Sequence, residues 1–154
     1  MDPEDGTAVT IALNVPGSHD LPLTLMRRGV EVTLEHEGVE AAEVSVTCLD
    51  DEPMRALNRT WLDHDRVTDV LAFPLHEEGE PPLGDVYIGV GQARRQAAEL
   101  ELPLEEELVR LTIHGVLHVL GYDHPETADA ARESSLHYRL QERLTRRVMG
   151  EPES

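Results

Sequence analysis

Thr112-Ile113-His114-Gly115-Val116-Leu117-His118-Val119-Leu120-Gly121-Tyr122-Asp123-His124 is the stretch from which the rest of the chain is read. It holds three of the eight histidines, spaced His-x3-His-x5-His. A helix sets residues four apart on one face, so a helical reading puts His114 and His118 side by side. Gly121 ends that helix, because glycine tolerates the left-handed backbone that a helix C-terminus often adopts. The turn then brings His124 back towards the other two. Three neutral imidazoles converging on one point, with a fourth position open, is the layout of a catalytic zinc site. A lone histidine is more often structural or exposed, and His19, His36, His64, His76 and His137 receive that reading.

Outward from this stretch the chain alternates strands and helices. Pro103 begins the histidine helix, Glu105, Glu106 and Glu107 complement the dipole of its first turn, and Leu104, Leu108, Leu111 and Leu117 face a core. Val9–Val15 and Ala42–Leu49 alternate as strands do, and Asp69–Phe73 and Asp85–Val90 form two more. Leu21–Glu37 reads as a helix, weakened by Gly29 and by the β-branched residues near Val30. Asp50-Asp51-Glu52-Pro53 is a helix start, followed by Met54, Leu57 and Trp61 on one stripe. Gln92–Leu100 is an alanine-rich helix. The last helix runs from Glu126 to about Val148, with Leu136, Leu140 and Leu144 on one face and Arg139, Arg143, Arg146 and Arg147 near its end. The expected fold is α+β: a single mixed four-stranded sheet packed with about five helices, one of them a zincin-like metal helix. One domain spans 1–154, with disordered ends at 1–7 and 150–154.

Composition narrows the function. The formal charge is −18, from 13 basic and 31 acidic residues, and every basic residue is arginine. Such a chain is repelled by nucleic acid and by anionic membranes at long range. A nucleic-acid role therefore needs a local arginine patch, a metal's charge, or a partner that delivers the substrate. Cys48 is the single cysteine, which rules out an intrachain disulfide and reads as a buried, inert thiol. With an acidic N-terminus and no long apolar run, a cytoplasmic location is expected, with no membrane partner.

The histidine spacing equals that of the metzincin proteases, His-Glu-x-x-His-x-x-Gly-x-x-His. Their general-base glutamate falls at position 115, where this chain has glycine. Peptide hydrolysis by that route is disfavoured, and Gly115 is expected to leave room beside the metal for a bulkier substrate. Zinc at such a site lowers the pKa of its water to about 7 and acts as a Lewis acid on carbonyl or phosphoryl oxygens. Asp123 or Asp85 is the alternative as a non-catalytic fourth ligand, and Asp123 also suits orienting a ligand imidazole or capping the turn.

His114-Gly115-x-Leu117-His118-x-x-Gly121-Tyr122-Asp123-His124 resembles the hallmark of the YbeY family of bacterial ribosomal-RNA maturation factors. Leu57-Asn58, Thr68-Asp69-Val70-Leu71-Ala72-Phe73-Pro74 and Leu83-Gly84-Asp85-Val86-Tyr87-Ile88 resemble further family segments in the same order. The resemblance implies one zinc ion on His114, His118 and His124. It also implies a single-strand-specific endoribonuclease acting in 16S rRNA 3′-end maturation and ribosome quality control. Its implied partners are ribosomal RNA and the small ribosomal subunit or a ribosome-associated protein. Many members carry a substrate-facing arginine where this chain has Leu62, which leaves Arg59 or Arg66 as the substitute. Two rival readings stand beside this one. The first is a metalloprotease-like hydrolase of a non-RNA substrate. The second is a non-enzymatic ribosome assembly factor that zinc stabilises.

Overall fold

Alternating apolar residues and helix-start signals resolve into a fixed order of elements. The computed structural model describes residues 8–15, 20–62, 68–122 and 128–150. Within them run β1 (Ala8–Asn14), α1 (Leu23–His36), β2 (Ala41–Leu49), α2 (Asp51–Leu62), β3 (Val70–Pro74), β4 (Leu83–Gly89), α3 (Val90–Leu100), α4 (Leu104–Val119) and α5 (Ala128–Met149). The strands form one sheet in the order β1-β2-β4-β3. β1, β2 and β4 are mutually parallel, and β3 pairs antiparallel with β4 at the edge. The mixed four-stranded sheet with five helices matches the expected α+β fold. His19, His64, Arg66, Asp123, His124 and the two ends at 1–7 and 151–154 lie outside the described residues.

Side chains alternate across a strand, so each strand offers one face to the helices. On β2 that face is Ala42, Val44, Val46 and Cys48, all buried, and on β4 it is Val86 and Ile88. Met26, Val30 and Leu34 of α1 and Leu108, Leu111, Val116 and Val119 of α4 pack on it to form the main core. A second cluster joins Val32 of α1, Val109, Ile113 and Leu117 of α4, and Leu140 and Leu144 of α5. α1 and α4 therefore lie side by side on the sheet, and α5 packs across both from outside. Gly29 is where α1 crosses α4: a Cβ there would sit 3.4 Å from Ile113 Cγ1. That close crossing is why a residue unfavourable for a helix occupies the interior of α1.

Two apolar stripes differ from expectation. Met54 is fully buried, but Trp61 is 66% exposed and meets Phe73 edge-on at 6.4 Å. Leu136 is 53% exposed, whereas His137 is buried at 4%. The inward face of α5 is therefore His137, Leu140, Gln141, Leu144 and Thr145. Leu140 and Leu144 point inward as expected, but the face is centred about one residue further on, because three polar residues share it.

Candidate active site

The C-terminal half of α4 positions the two described histidines of the motif. The helix ends as its glycine predicts. Gly121 takes φ +112°, the Gly121 N–H donates to the His118 carbonyl and the Tyr122 N–H donates to the Leu117 carbonyl, each at 3.0 Å. This is the paired bonding of a Schellman turn. The Tyr122 hydroxyl donates to Glu37 Oε1 at 3.0 Å, and its ring lies 5.3 Å from that of His137. The turn leading towards His124 is thus tied to α1 and to α5. Burial, then the hydrogen bond to Glu37 and that carboxylate's charge, raise the Tyr122 pKa.

His114 and His118 sit together, with ring centroids 4.7 Å apart. His137 of α5 completes a cluster, stacked on His114 at 4.8 Å and edge-on to His118 at 5.3 Å. His114 Nδ1 is 2.6 Å from Gln141 Oε1. Among the described residues no group of three or more His, Cys, Asp or Glu is arranged to hold a metal ion. Two of the three expected ligands are brought together, and the third, His124, lies outside the described residues.

Gly115 does not open space beside the histidines. It is buried against the sheet, and a Cβ at this position would lie 2.4 Å from Val86 Cγ1. One turn on, Val119 Cγ1 would lie 2.7 Å from a Cβ on Gly84. Glycine on the helix thus faces valine on β4, and valine on the helix faces glycine on β4. The expectation of substrate room at Gly115 is therefore corrected: this glycine lets α4 lie hard against the sheet. Asp85 is likewise set apart from the histidines. It accepts from Ser45 Oγ at 2.8 Å and alternates with Gly84 and Val86, which face α4, so it belongs to the opposite face of the sheet.

A cleft of about 400 Å³ borders His114. Asp69, Glu99 and Glu107 provide its carboxylates and Val70, Leu100 and Leu111 its apolar wall, with His137, Tyr138 and Gln141 on the α5 side. Arg110 is the one arginine among the described residues that line it. Glu107, nearly fully buried, forms an ion pair with Arg110 at 3.3 Å and accepts from Gln96 Nε2 at 2.7 Å. Arg110 also pairs with Glu142 at 3.3 Å. Arg59, by contrast, is exposed in the last turn of α2, and Leu62 ends that helix.

These features have a counterpart in known proteins. A family model described as Endoribonuclease YbeY matches residues 19–145. The chain belongs to the YbeY endoribonuclease family. Endoribonuclease YbeY of Persephonella marina is 39% identical over 134 residues, which is 83% of this chain and 84% of that protein. Endoribonuclease YbeY of Aquifex aeolicus is 43% identical over 110 residues, 70% of this chain and 73% of the relative. The solution structure of TM1509 from Thermotoga maritima superimposes with a TM-score of 0.62 at 28% identity, covering 92% of this chain and 89% of that one. By family the chain is an endoribonuclease, a hydrolase. No helix among the described residues is long and apolar enough to cross a membrane.

The sequence pattern assigns no site role to His137, Glu107, Arg110 or Gln141, reading the first as a structural or exposed histidine and the second as a first-turn acid. One signal was available. His137 and Gln141 are four residues apart, in register with Leu140 and Leu144, and a polar i,i+4 pair on an apolar stripe of a helix has to meet polar partners inside.

Proposed function

We propose that this chain is a zinc-dependent, single-strand-specific endoribonuclease that matures the 3′ end of 16S rRNA and serves ribosome quality control in the cytoplasm. The observation that carries the reading is the pairing of His114 with His118 on one face of α4, beside a cleft large enough for a nucleotide. The residues fit the metal. Both are imidazoles, they share a face, and His114 meets an acceptor at Nδ1, as a metal-ligating histidine usually does. His124, two residues past the Tyr122 anchor, is the third ligand in this reading. Bound zinc would supply Lewis acidity towards a phosphoryl oxygen.

The protein's own groups do the rest. Arg110 stands at the cleft wall but is committed to Glu107 and Glu142, so the role first sought in Arg59 or Arg66 falls to the arginines of α5 beside Tyr138, namely Arg139, Arg143 and Arg146. Val70, Leu100 and Leu111 exclude water from one side, and Tyr138 at the rim offers a ring on which an unpaired base stacks. The −18 charge opposes capture of RNA from solution, so a ribosomal protein or ribosome-bound factor brings enzyme and substrate together.

The test joins metal analysis of the purified protein with cleavage of a precursor small-subunit RNA by wild type and His118→Ala. One zinc per chain and cleavage lost in a folded His118→Ala are expected. Absence of zinc, or undiminished cleavage by that variant, overturns the proposal. Peptidase activity that His118→Ala abolishes would instead point to the hydrolase of a non-RNA substrate.

A further inference from the structure

We infer that Gln141 is a positioning residue that fixes the tautomer and orientation of His114 for metal binding, with Glu142 and Arg110 holding Gln141 in turn. The inference rests on the metal reading of His114. Gln141 is buried at 6%, and its side-chain amide has two chemically different ends. Oε1 lies 2.6 Å from His114 Nδ1 and Nε2 lies 3.2 Å from Glu142 Oε2.

The direction of these contacts follows from donor and acceptor chemistry. Glu142 pairs with the Arg110 guanidinium at 3.3 Å. A carboxylate so paired accepts hydrogen bonds and does not donate them. The Gln141 end facing it must therefore be the NH2. The reverse amide would set its oxygen against a carboxylate, acceptor to acceptor. With the NH2 committed to Glu142, the oxygen faces His114, and an oxygen requires a donor. The proton of the neutral imidazole is then on Nδ1, and Nε2 becomes the lone-pair nitrogen, the one that binds a metal. An arginine charge on α4 thus selects, through two α5 side chains, the tautomer of a histidine one turn further along α4.

The arrangement also resists rotation of the ring. His137 stacks on His114 at 4.8 Å, and Gln141 sits one turn beyond His137 on the same face of α5. Stacking sets the plane of the imidazole while the amide sets which edge faces α5. Both constraints come from one helix, so they persist or fail together with the docking of α5 on α4.

Zinc affinity measured by competition with a chelator tests this without reference to activity. Gln141→Leu removes the acceptor and should weaken zinc binding about 10- to 100-fold, the usual cost of losing such a partner. Gln141→Glu alone sets a carboxylate oxygen against Glu142, so the control exchanges the two groups: Gln141→Glu with Glu142→Gln keeps an acceptor on His114 and a donor between the two side chains, and should bind zinc nearly as wild type does. The inference is overturned if Gln141→Leu binds zinc as tightly as wild type, or if the exchanged pair weakens as far as Gln141→Leu. Should either variant fail to fold, the zinc-free wild type still decides. Two-dimensional 15N spectra at a pH where the ring is neutral should show His114 protonated on Nδ1, and protonation on Nε2 overturns the inference. A wild type that binds no zinc defeats the metal reading and this inference together. Zinc bound by wild type with no response to Gln141→Leu defeats this one alone.

Discussion

Gly115→Ala isolates the role of this glycine from that of its histidine neighbours. The added Cβ would sit 2.4 Å from Val86 Cγ1, 3.1 Å from Cγ2 and 3.3 Å from Val86 Cβ. Carbon atoms in contact settle about 3.5–4.0 Å apart, so helix or strand must give by roughly 1 Å. Val86 has nowhere to go. It is fully buried on β4, which has β2 on one side and β3 on the other. Overpacking of this kind costs about 1–3 kcal/mol, and the better helix propensity of alanine returns up to about 1 kcal/mol. The net loss is about 1–2 kcal/mol, a fall in Tm of roughly 2–8 °C for a domain of this size. Val86→Ala alone leaves a cavity and costs about 2 kcal/mol. In the double variant each change relieves the other, so the loss should be smaller than the sum by about 1–3 kcal/mol. Denaturant unfolding of the four proteins, read with zinc content, measures this coupling. Zero coupling, or a Gly115→Ala variant that stays fully stable yet loses its metal, refutes the packing role and restores the glycine to the site.

Other expectations follow from individual contacts. Glu107→Leu leaves Arg110 paired with Glu142 alone and should cost up to about 3 kcal/mol in denaturant unfolding, more than the exposed Glu99→Leu. Tyr122→Phe removes the bond to Glu37 and should cost about 1 kcal/mol. The folded pKa of Tyr122 is raised, so its contribution is present below about pH 10 and lost as pH climbs through the folded value. The variant should have a flatter alkaline limb in its stability–pH profile and one fewer late-titrating phenol in the ultraviolet. Burial pushes the Cys48 thiol up to about 11. Its contribution holds below about pH 8.5 and fades as pH rises towards the folded value, so native protein at pH 8 should resist thiol reagents that label the unfolded chain at once.

The sheet and most helix limits were legible because their signals are local. Alternation marks β2, the Asp-Asp-Glu-Pro start marks α2, and the final glycine marks the end of α4. What was not legible depends on neighbours that are distant in sequence. Gly115 read against a protease motif looks like an emptied catalytic position; read against Val86, it is a helix–sheet contact that no local pattern encodes. Leu136 and Trp61 are apolar in sequence but face outward, since α5 turns its polar pair His137 and Gln141 towards α4 and α2 leaves its last turn at the sheet's edge. His114 and His118 were legible as a pair because four residues make one turn. His137 was not, since its partnership with them is a tertiary fact.

Electrostatics offers a quantitative check on how the enzyme meets RNA. Three carboxylates and one guanidinium border the cleft among the described residues. Beyond its rim, Arg139, Arg143 and Arg146 share a surface of α5 with Tyr138, which also lines the cleft. With Arg110 paired to Glu107 and Glu142, these three arginines bound the number of phosphates the described surface near the site neutralises. For a single strand the slope of log affinity against log salt is about −0.7 per phosphate, so the set yields a slope near −2. A fourfold rise in salt from 50 to 200 mM then weakens naked-RNA binding roughly 20-fold, while the same salt screens part of the repulsion of a −18 chain. Filter binding of a short unstructured RNA at several salt concentrations, with wild type and with Arg139, Arg143 and Arg146 all changed to Gln, measures the slope. The triple variant should flatten it by about 2. At physiological salt, cleavage of naked RNA should fall away while cleavage of the same segment within a precursor small subunit persists. High-affinity capture of naked RNA at physiological salt, or a slope indifferent to the three arginines, would show that the chain finds RNA by another surface and without a carrier.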